Sequence, residues 1–162
     1  MSTATCPTCP TNDRPSVDLS LLVVRVIAGV IFVARGSQKL FGAFDGPGLG
    51  KMMEMMGPLA IPVSIGEFFG GLGLIAGFLC RFSAASLIVI MIGAIATVHG
   101  PNGFFLAKSP TDQFKDAGFE YNLSIIGLLV PILLAGPGKF TIGRLLPLPK
   151  SAITGRPIVV LE

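Results

Sequence analysis

Four long apolar runs separated by short polar segments dominate the chain, and this pattern predicts four helices that cross a membrane. The runs extend over Leu19 to Phe41, Leu59 to Cys80, Phe82 to Val98 and Glu120 to Ala135. A helix needs about 20 apolar residues to span a hydrocarbon core about 30 Å thick. The second and third runs are joined by a very short turn, so their helices should be antiparallel neighbours. We therefore expect an all-α polytopic membrane protein, built as an antiparallel bundle of four transmembrane helices.

Less apolar segments flank this membrane domain, which we expect to cover residues 19–138. Residues 1–18 are rich in Ser, Thr and Pro and lack an apolar face, which predicts a flexible N-terminal tail. Residues 139–162 contain several basic residues and prolines, and we expect a second tail on or near the membrane. Between the first two runs, Lys51 to Met56 predicts a short amphipathic helix at the interface, with methionines that pack there. No cleavage site follows the first run, so we expect that helix to be retained.

Composition agrees with a membrane location. Hydrophobic residues make up 51% of the 162 residues and charged residues 13%, and the mean hydropathy is +0.77. Charged residues average about 25% in soluble domains. The net charge of +3 comes from scattered basic residues without interleaved aromatic residues, so we expect no nucleic-acid partner.

The distribution of basic residues predicts the orientation. Four helices place both termini on one side of the membrane, and basic residues favour the cytoplasmic side. The side of the termini carries Arg14, Arg81, Lys139, Arg144, Lys150 and Arg156, whereas the other side carries Lys51, Lys108 and Lys115. We therefore expect a multi-pass protein of the cytoplasmic membrane with both termini in the cytoplasm.

Ionisable residues inside the apolar runs are the strongest indication of function, because a charge in hydrocarbon needs a partner. Glu67 lies inside the second run among glycines, which let helices approach closely. Arg25, Arg35 and Lys39 fall within an arc of about 80° on the first helix. We predict that Glu67 forms a buried ion pair with Arg25 or, as the alternative, with Arg35.

Helix directions bring most of these polar residues to the outer ends of the helices. The candidate set for an outer pocket is Arg35, Lys39, Glu67, His99, Glu120, Tyr121 and Asn122. Two interpretations remain open. In the first, Glu120 pairs with Lys39 or His99, Glu67 pairs with an arginine, and the pairs only fix the packing. In the second, the residues form a small pocket for a polar headgroup, where His99 and the two glutamates can relay protons.

The cysteines and the single histidine limit the cofactors. Cys6 and Cys9 form a CxxC pair, which can be a redox couple or half of a zinc site. Only Cys80 and His99 could complete a zinc site, so we interpret the pair as reduced and solvated and expect no metal. A metal site of His99, Glu67 and Glu120 lacks a specific spacing. There is no CxxCH motif and no second histidine for axial ligation, so we expect no haem.

Several short motifs, in their order and spacing, resemble the DoxX family of small four-helix membrane proteins. They are Arg25-xxx-Gly29, Gly36-xx-Lys39-Leu40, Glu67-xx-Gly70-Gly71-Leu72, Gly77-xxx-Arg81, His99-xxx-Gly103-Phe104, Glu120-Tyr121-Asn122 and Gly136-Pro137-Gly138-Lys139-Phe140. The resemblance covers roughly Leu19 to Leu145. Family members often continue the last motif with an acidic residue, where this chain has Thr141-Ile142-Gly143.

The resemblance implies a bacterial or archaeal inner-membrane protein linked to respiratory or redox chemistry. The members that give the family its name look like subunits of a thiosulfate:quinone oxidoreductase or a quinol oxidase. We therefore expect a membrane subunit of a redox complex, with lipids and other membrane or soluble oxidoreductase subunits as partners. Its pocket would bind a quinone headgroup or a small oxyanion. The alternatives are an enzyme subunit that oxidises thiosulfate with a quinone acceptor, and a small transporter or scaffold.

Overall fold

A computed structural model describes residues 15–105 and 118–141, and the regular secondary structure within these ranges is entirely helical. The Cys6–Cys9 pair and the chain beyond Thr141 lie outside the described residues. The helices are α1 (Pro15–Phe41), α2 (Gly48–Met56), α3 (Ala60–Ala76), α4 (Cys80–Ala94) and α5 (Glu120–Ala135). A π-helical turn, Ile95–His99, continues α4, and single 3₁₀ turns follow α2 and this π turn.

Three of the described segments are long and apolar enough to cross a membrane: Pro15–Phe41, Gly48–Ala76 and Cys80–Asn102. The fourth helix of the bundle, α5, is apolar but only 16 residues long. The expected all-α membrane bundle is therefore confirmed. The amphipathic segment predicted before the second run is present as α2, which buries Met52.

The ends of three helices differ from the predicted ranges. The first helix covers Pro15–Phe41 and thus includes four residues ahead of the predicted start at Leu19. The second long helix ends at Ala76 rather than Cys80, because Gly77 adopts a left-handed conformation (φ +76°) that terminates it. α4 then begins at Cys80, two residues before the predicted start.

The four long helices form a ring in which α1 packs on α3, α3 on α4, α4 on α5, and α5 on α1. Glycines set the register of the closest pair. A Cβ atom at Gly36 would lie 2.6 Å from the backbone of Phe68, and one at Gly29 would lie 2.8 Å from the carbonyl oxygen of Gly71. A residue with a side chain does not fit at these positions. The two contacts therefore fix the register of α1 against α3.

A second glycine face on α3 meets α4. Cβ atoms at Gly66 and Gly70 would lie 2.9 Å and 3.2 Å from side-chain atoms of Ile90 and Leu87. The helix therefore uses small residues on two sides, one for each neighbour. The core between the helices includes Ala28, Phe32, Leu74, Leu87, Leu129 and Ile132. This packing leaves one end of the bundle to be lined by the polar residues described next.

Candidate functional site

A cavity of about 320 Å³ lies at the end of the bundle where α1 and α4 end and where α3 and α5 begin. Six of the seven residues predicted for a polar pocket line it: Arg35, Lys39, Glu67, His99, Tyr121 and Asn122. The remaining one, Glu120, is exposed at the first position of α5 and is not part of the lining. Its backbone N–H donates to the carbonyl of Phe104, so its position serves to connect α5 to the preceding loop.

The polar wall of the cavity is centred on an ion pair between α1 and α3. Lys39 Nζ donates to Glu67 Oε1 at 2.6 Å. The Glu67 side chain is only 3% exposed, whereas that of Lys39 is 24% exposed. The pair follows from the register that Gly36 and Phe68 set, because Lys39 lies one turn beyond Gly36 and Glu67 adjoins Phe68. A lysine near a helix end can reach inward with its stem while its cation stays close to water.

The predicted pair of Glu67 with Arg25 or Arg35 is wrong. The guanidinium of Arg25 donates to the carbonyl oxygens of Pro137 (2.7 Å) and Phe140 (2.5 Å), at the other end of the bundle. Arg25 and Lys39 are separated by about 21 Å along the helix, so one carboxylate cannot reach both. The helical wheel gave the correct side of α1, but it does not show how far along the helix axis each residue lies.

Arg25 is 2% exposed, and its two hydrogen bonds connect α1 to the segment that follows α5. The segment after α5 contains Gly136 and Gly138, both at positive φ, so the chain turns and presents carbonyl oxygens without helical partners. Lys139 adds a second connection, since its backbone N–H donates to Asp18 Oδ1 at 3.2 Å. The Gly-Pro-Gly sequence was the available signal for this arrangement.

One oxygen of Glu67 remains without a hydrogen bond. Glu67 Oε2 is buried, and no residue that the structure describes donates to it. A buried carboxylate oxygen without a donor is costly, so the site favours a ligand or water that can donate a hydrogen bond there. Because Glu67 lines the cavity, such a donor can come from its interior.

Arg35 and Tyr121 form a second contact within the lining. The guanidinium carbon of Arg35 lies 5.0 Å from the centre of the Tyr121 ring, a cation–π contact between α1 and α5. The next residue, Asn122, is 4% exposed and supplies an amide to the lining. These three side chains and the ion pair supply hydrogen-bonding groups from α1, α3 and α5 to the lining.

The deeper lining is apolar and was not part of the predicted set of pocket residues. It consists of Ile31, Phe32, Met91 and Ile125, from α1, α4 and α5. Apolar residues in an apolar helix carry no signal of their own, so only the packing of the helices identifies them. The cavity thus combines a polar wall with an apolar floor. Within residues 15–105 and 118–141, no group of three or more His, Cys, Asp or Glu side chains could hold a metal ion.

Comparison with known proteins gives two matches. The sequence model of the DoxX family matches residues 20–100. The inner membrane protein YqjF of Escherichia coli K12 is 30% identical over 135 residues, which cover 80% of this chain and 93% of that protein. No solved structure matches the chain.

Proposed function

Because this chain belongs to the DoxX family of membrane proteins, we propose that it is a subunit of a membrane redox complex that binds a quinone headgroup in its cavity. The cavity volume of about 320 Å³ is within the range of about 300–1,000 Å³ that small-molecule sites occupy. A quinone has a flat apolar ring with oxygen atoms at two opposite ends. Such a ligand needs the combination of polar wall and apolar floor that the lining offers.

The observation that carries the proposal is the unsatisfied Oε2 atom of Glu67. The reduced form, a quinol, has hydroxyl groups, and one of them can donate to this oxygen. The oxidised form has only carbonyl acceptors, which can accept from Lys39, Tyr121 or Asn122. We therefore expect the quinol to bind more tightly than the quinone, because only the quinol supplies the missing donor.

A small oxyanion is the second ligand class that the lining favours. Arg35 and Lys39 carry two positive charges, whereas Glu67 carries one negative charge. Oxyanions accept hydrogen bonds from such cations, but they cannot donate one to Glu67 Oε2, and they gain nothing from the apolar floor. For both reasons the quinol is the better fit.

Calorimetric titration of the protein in nanodiscs with a short-tailed quinol, kept reduced under argon, tests the proposal. Glu67→Gln should weaken binding about tenfold or more, because a hydrogen bond to a charged group contributes about 1.5–3 kcal/mol. The matched control is Glu54→Gln, whose carboxylate is exposed on α2 and should leave the affinity unchanged. Tyr121→Phe removes one hydroxyl without touching the ion pair, and it should weaken the quinone more than the quinol.

Equal affinities of wild type and Glu67→Gln, or no heat of binding for quinol and quinone alike, would contradict the proposal. Binding of thiosulfate in place of the quinol would favour the oxyanion class. Reduction of a quinone by thiosulfate, catalysed by the isolated protein, would favour the enzyme alternative. Co-purification with an oxidoreductase in mild detergent would support the role as a subunit.

The proposal places both termini in the cytoplasm and the cavity toward the outer face. The native cysteines allow a direct test, because Cys6 and Cys9 precede α1, whereas Cys80 is only 3% exposed. A membrane-impermeant maleimide should label the tail cysteines in permeabilised cells but not in intact spheroplasts. Equal labelling of both preparations would mean that the tail lies outside the cytoplasm, so the protein would have the opposite orientation.

A further inference from the structure

A shallow groove on the outside of α1 adjoins the cavity, and we infer that it binds the apolar tail of the ligand whose headgroup occupies the cavity. This inference rests on the proposed function and specifies the ligand further. The groove measures about 520 Å³ and is lined by Ile31, Ala34, Arg35, Gln38 and Phe44.

The groove and the cavity are adjacent and share two lining residues. Ile31 and Arg35 line both of them. These residues are one turn apart on α1, so together they form a strip of the helix that separates the two spaces. A ligand that extends past this strip has its polar end in the cavity and its other end in the groove.

Arg35 is placed to change position when such a ligand binds. It is exposed, and it reaches from α1 to contact the face of Tyr121 on α5. A long arginine side chain at the surface can adopt other rotamers at little cost, whereas the apolar Ile31 next to it stays as a contact for the tail. The cation–π contact thus lies at the junction of the headgroup site and the tail site.

The far end of the groove is formed by a turn that folds back on α1. A Cβ atom at Gly46 would lie 2.7 Å from the Gln38 side chain and carbonyl, so the turn rests directly on the helix. The turn presents Phe44, whose side chain is 75% exposed and whose φ is +54°. A bulky residue seldom adopts this backbone conformation. The fold therefore keeps the Phe44 ring at the groove although its backbone conformation is unfavourable for a bulky residue.

The chemistry of the groove selects an apolar chain. Ile31, Ala34 and Phe44 are apolar, and Arg35 and Gln38 contribute long stems. Lipid tails are as apolar as these side chains, so such a surface holds an apolar chain by van der Waals packing rather than by its removal from water. The ligand is therefore an amphiphile with an alkyl or prenyl chain, which reaches the cavity from the membrane between α1 and α5.

Calorimetric titration in nanodiscs with two hydroquinones, one without a tail and one with a decyl tail, tests the inference. Ala34→Phe fills the groove and should weaken the tailed ligand about tenfold while it changes the affinity of the tail-less ligand less than twofold. The matched control, Val30→Phe, adds the same ring one turn earlier on an exposed part of α1 that lines neither space. It should change neither affinity. Since the bilayer takes up a given ligand equally for every variant, ratios between variants report the groove alone.

A second variant keeps the test decisive if Ala34→Phe fails to fold. Phe44→Ala removes an exposed ring, and it should weaken the tailed ligand severalfold without affecting the tail-less one. If these variants leave the tailed ligand unaffected, or weaken both ligands equally, the groove does not bind the tail, although the proposed function stands. If the wild type binds neither hydroquinone, the proposed function fails together with the inference.

Discussion

Replacing Lys39 with methionine tests whether the ion pair in the cavity wall holds the bundle together. At 2.6 Å and an effective dielectric constant of about 20, the attraction between Lys39 and Glu67 is about 6 kcal/mol. Two factors reduce its net contribution: the pair loses hydration on folding, and the Lys39 side chain is 24% exposed. Removing one partner of a buried pair typically costs about 3–5 kcal/mol, and the partial exposure of Lys39 favours the lower end, about 3 kcal/mol.

The assay is equilibrium unfolding in mixed micelles, with the free energy of unfolding compared among variants. Lys51→Met is the matched control, because Lys51 is exposed on α2 and should lose less than about 0.5 kcal/mol. The double variant Lys39→Met/Glu67→Gln should regain most of the loss, since it leaves no buried charge without a partner. A loss for Lys39→Met no larger than that for Lys51→Met would refute the reasoning. The same conclusion would follow if the double variant were as unstable as the sum of the single ones.

Two further predictions concern the packing of the bundle. Gly36→Ala should lower the free energy of unfolding by about 1–3 kcal/mol, because its Cβ would overlap the backbone of Phe68. The control Gly127→Ala has open space around its Cβ in α5, so it should raise the free energy of unfolding by up to about 1 kcal/mol. Equal effects in the same unfolding assay would show that α1 and α3 are not in the close contact described. Arg25→Met should speed deuterium uptake in residues 136–141, because two hydrogen bonds to carbonyl oxygens are lost. Unchanged uptake would mean that Arg25 does not hold this segment.

The sequence predicted the architecture well because a membrane imposes a length and a hydropathy on each spanning helix. The apolar run at Glu120–Ala135 became a helix with the predicted ends. The ends at Ala76 and Cys80 were missed because a left-handed glycine can stop a helix within an apolar run, where hydropathy does not change.

The candidate site was predictable in its residues but not in its pairing. Six polar residues of the predicted set line one cavity, because the alternating directions of the helices fix which of their ends lie together. The partner of Glu67 depended on the register between α1 and α3, which the contact of Gly36 with Phe68 determines. A contact between two particular residues of different helices is not visible in the periodicity of either helix. The same reason explains why the groove next to Arg35 emerged only from the folded chain.

The short length of α5 has a consequence for the surrounding lipid. Sixteen residues give a helix about 24 Å long, which is less than a hydrocarbon core of about 30 Å. Along α5 the bilayer must therefore thin, or water and headgroups must descend toward the helix end. That end carries Tyr121 and Asn122, so a shortfall there brings the polar interface down to the cavity, whereas α1, with 27 residues, is long enough to span the core. The hydration of the site should therefore depend on bilayer thickness. Short-chain lipids, which form a thinner hydrocarbon core, should match the length of α5 best.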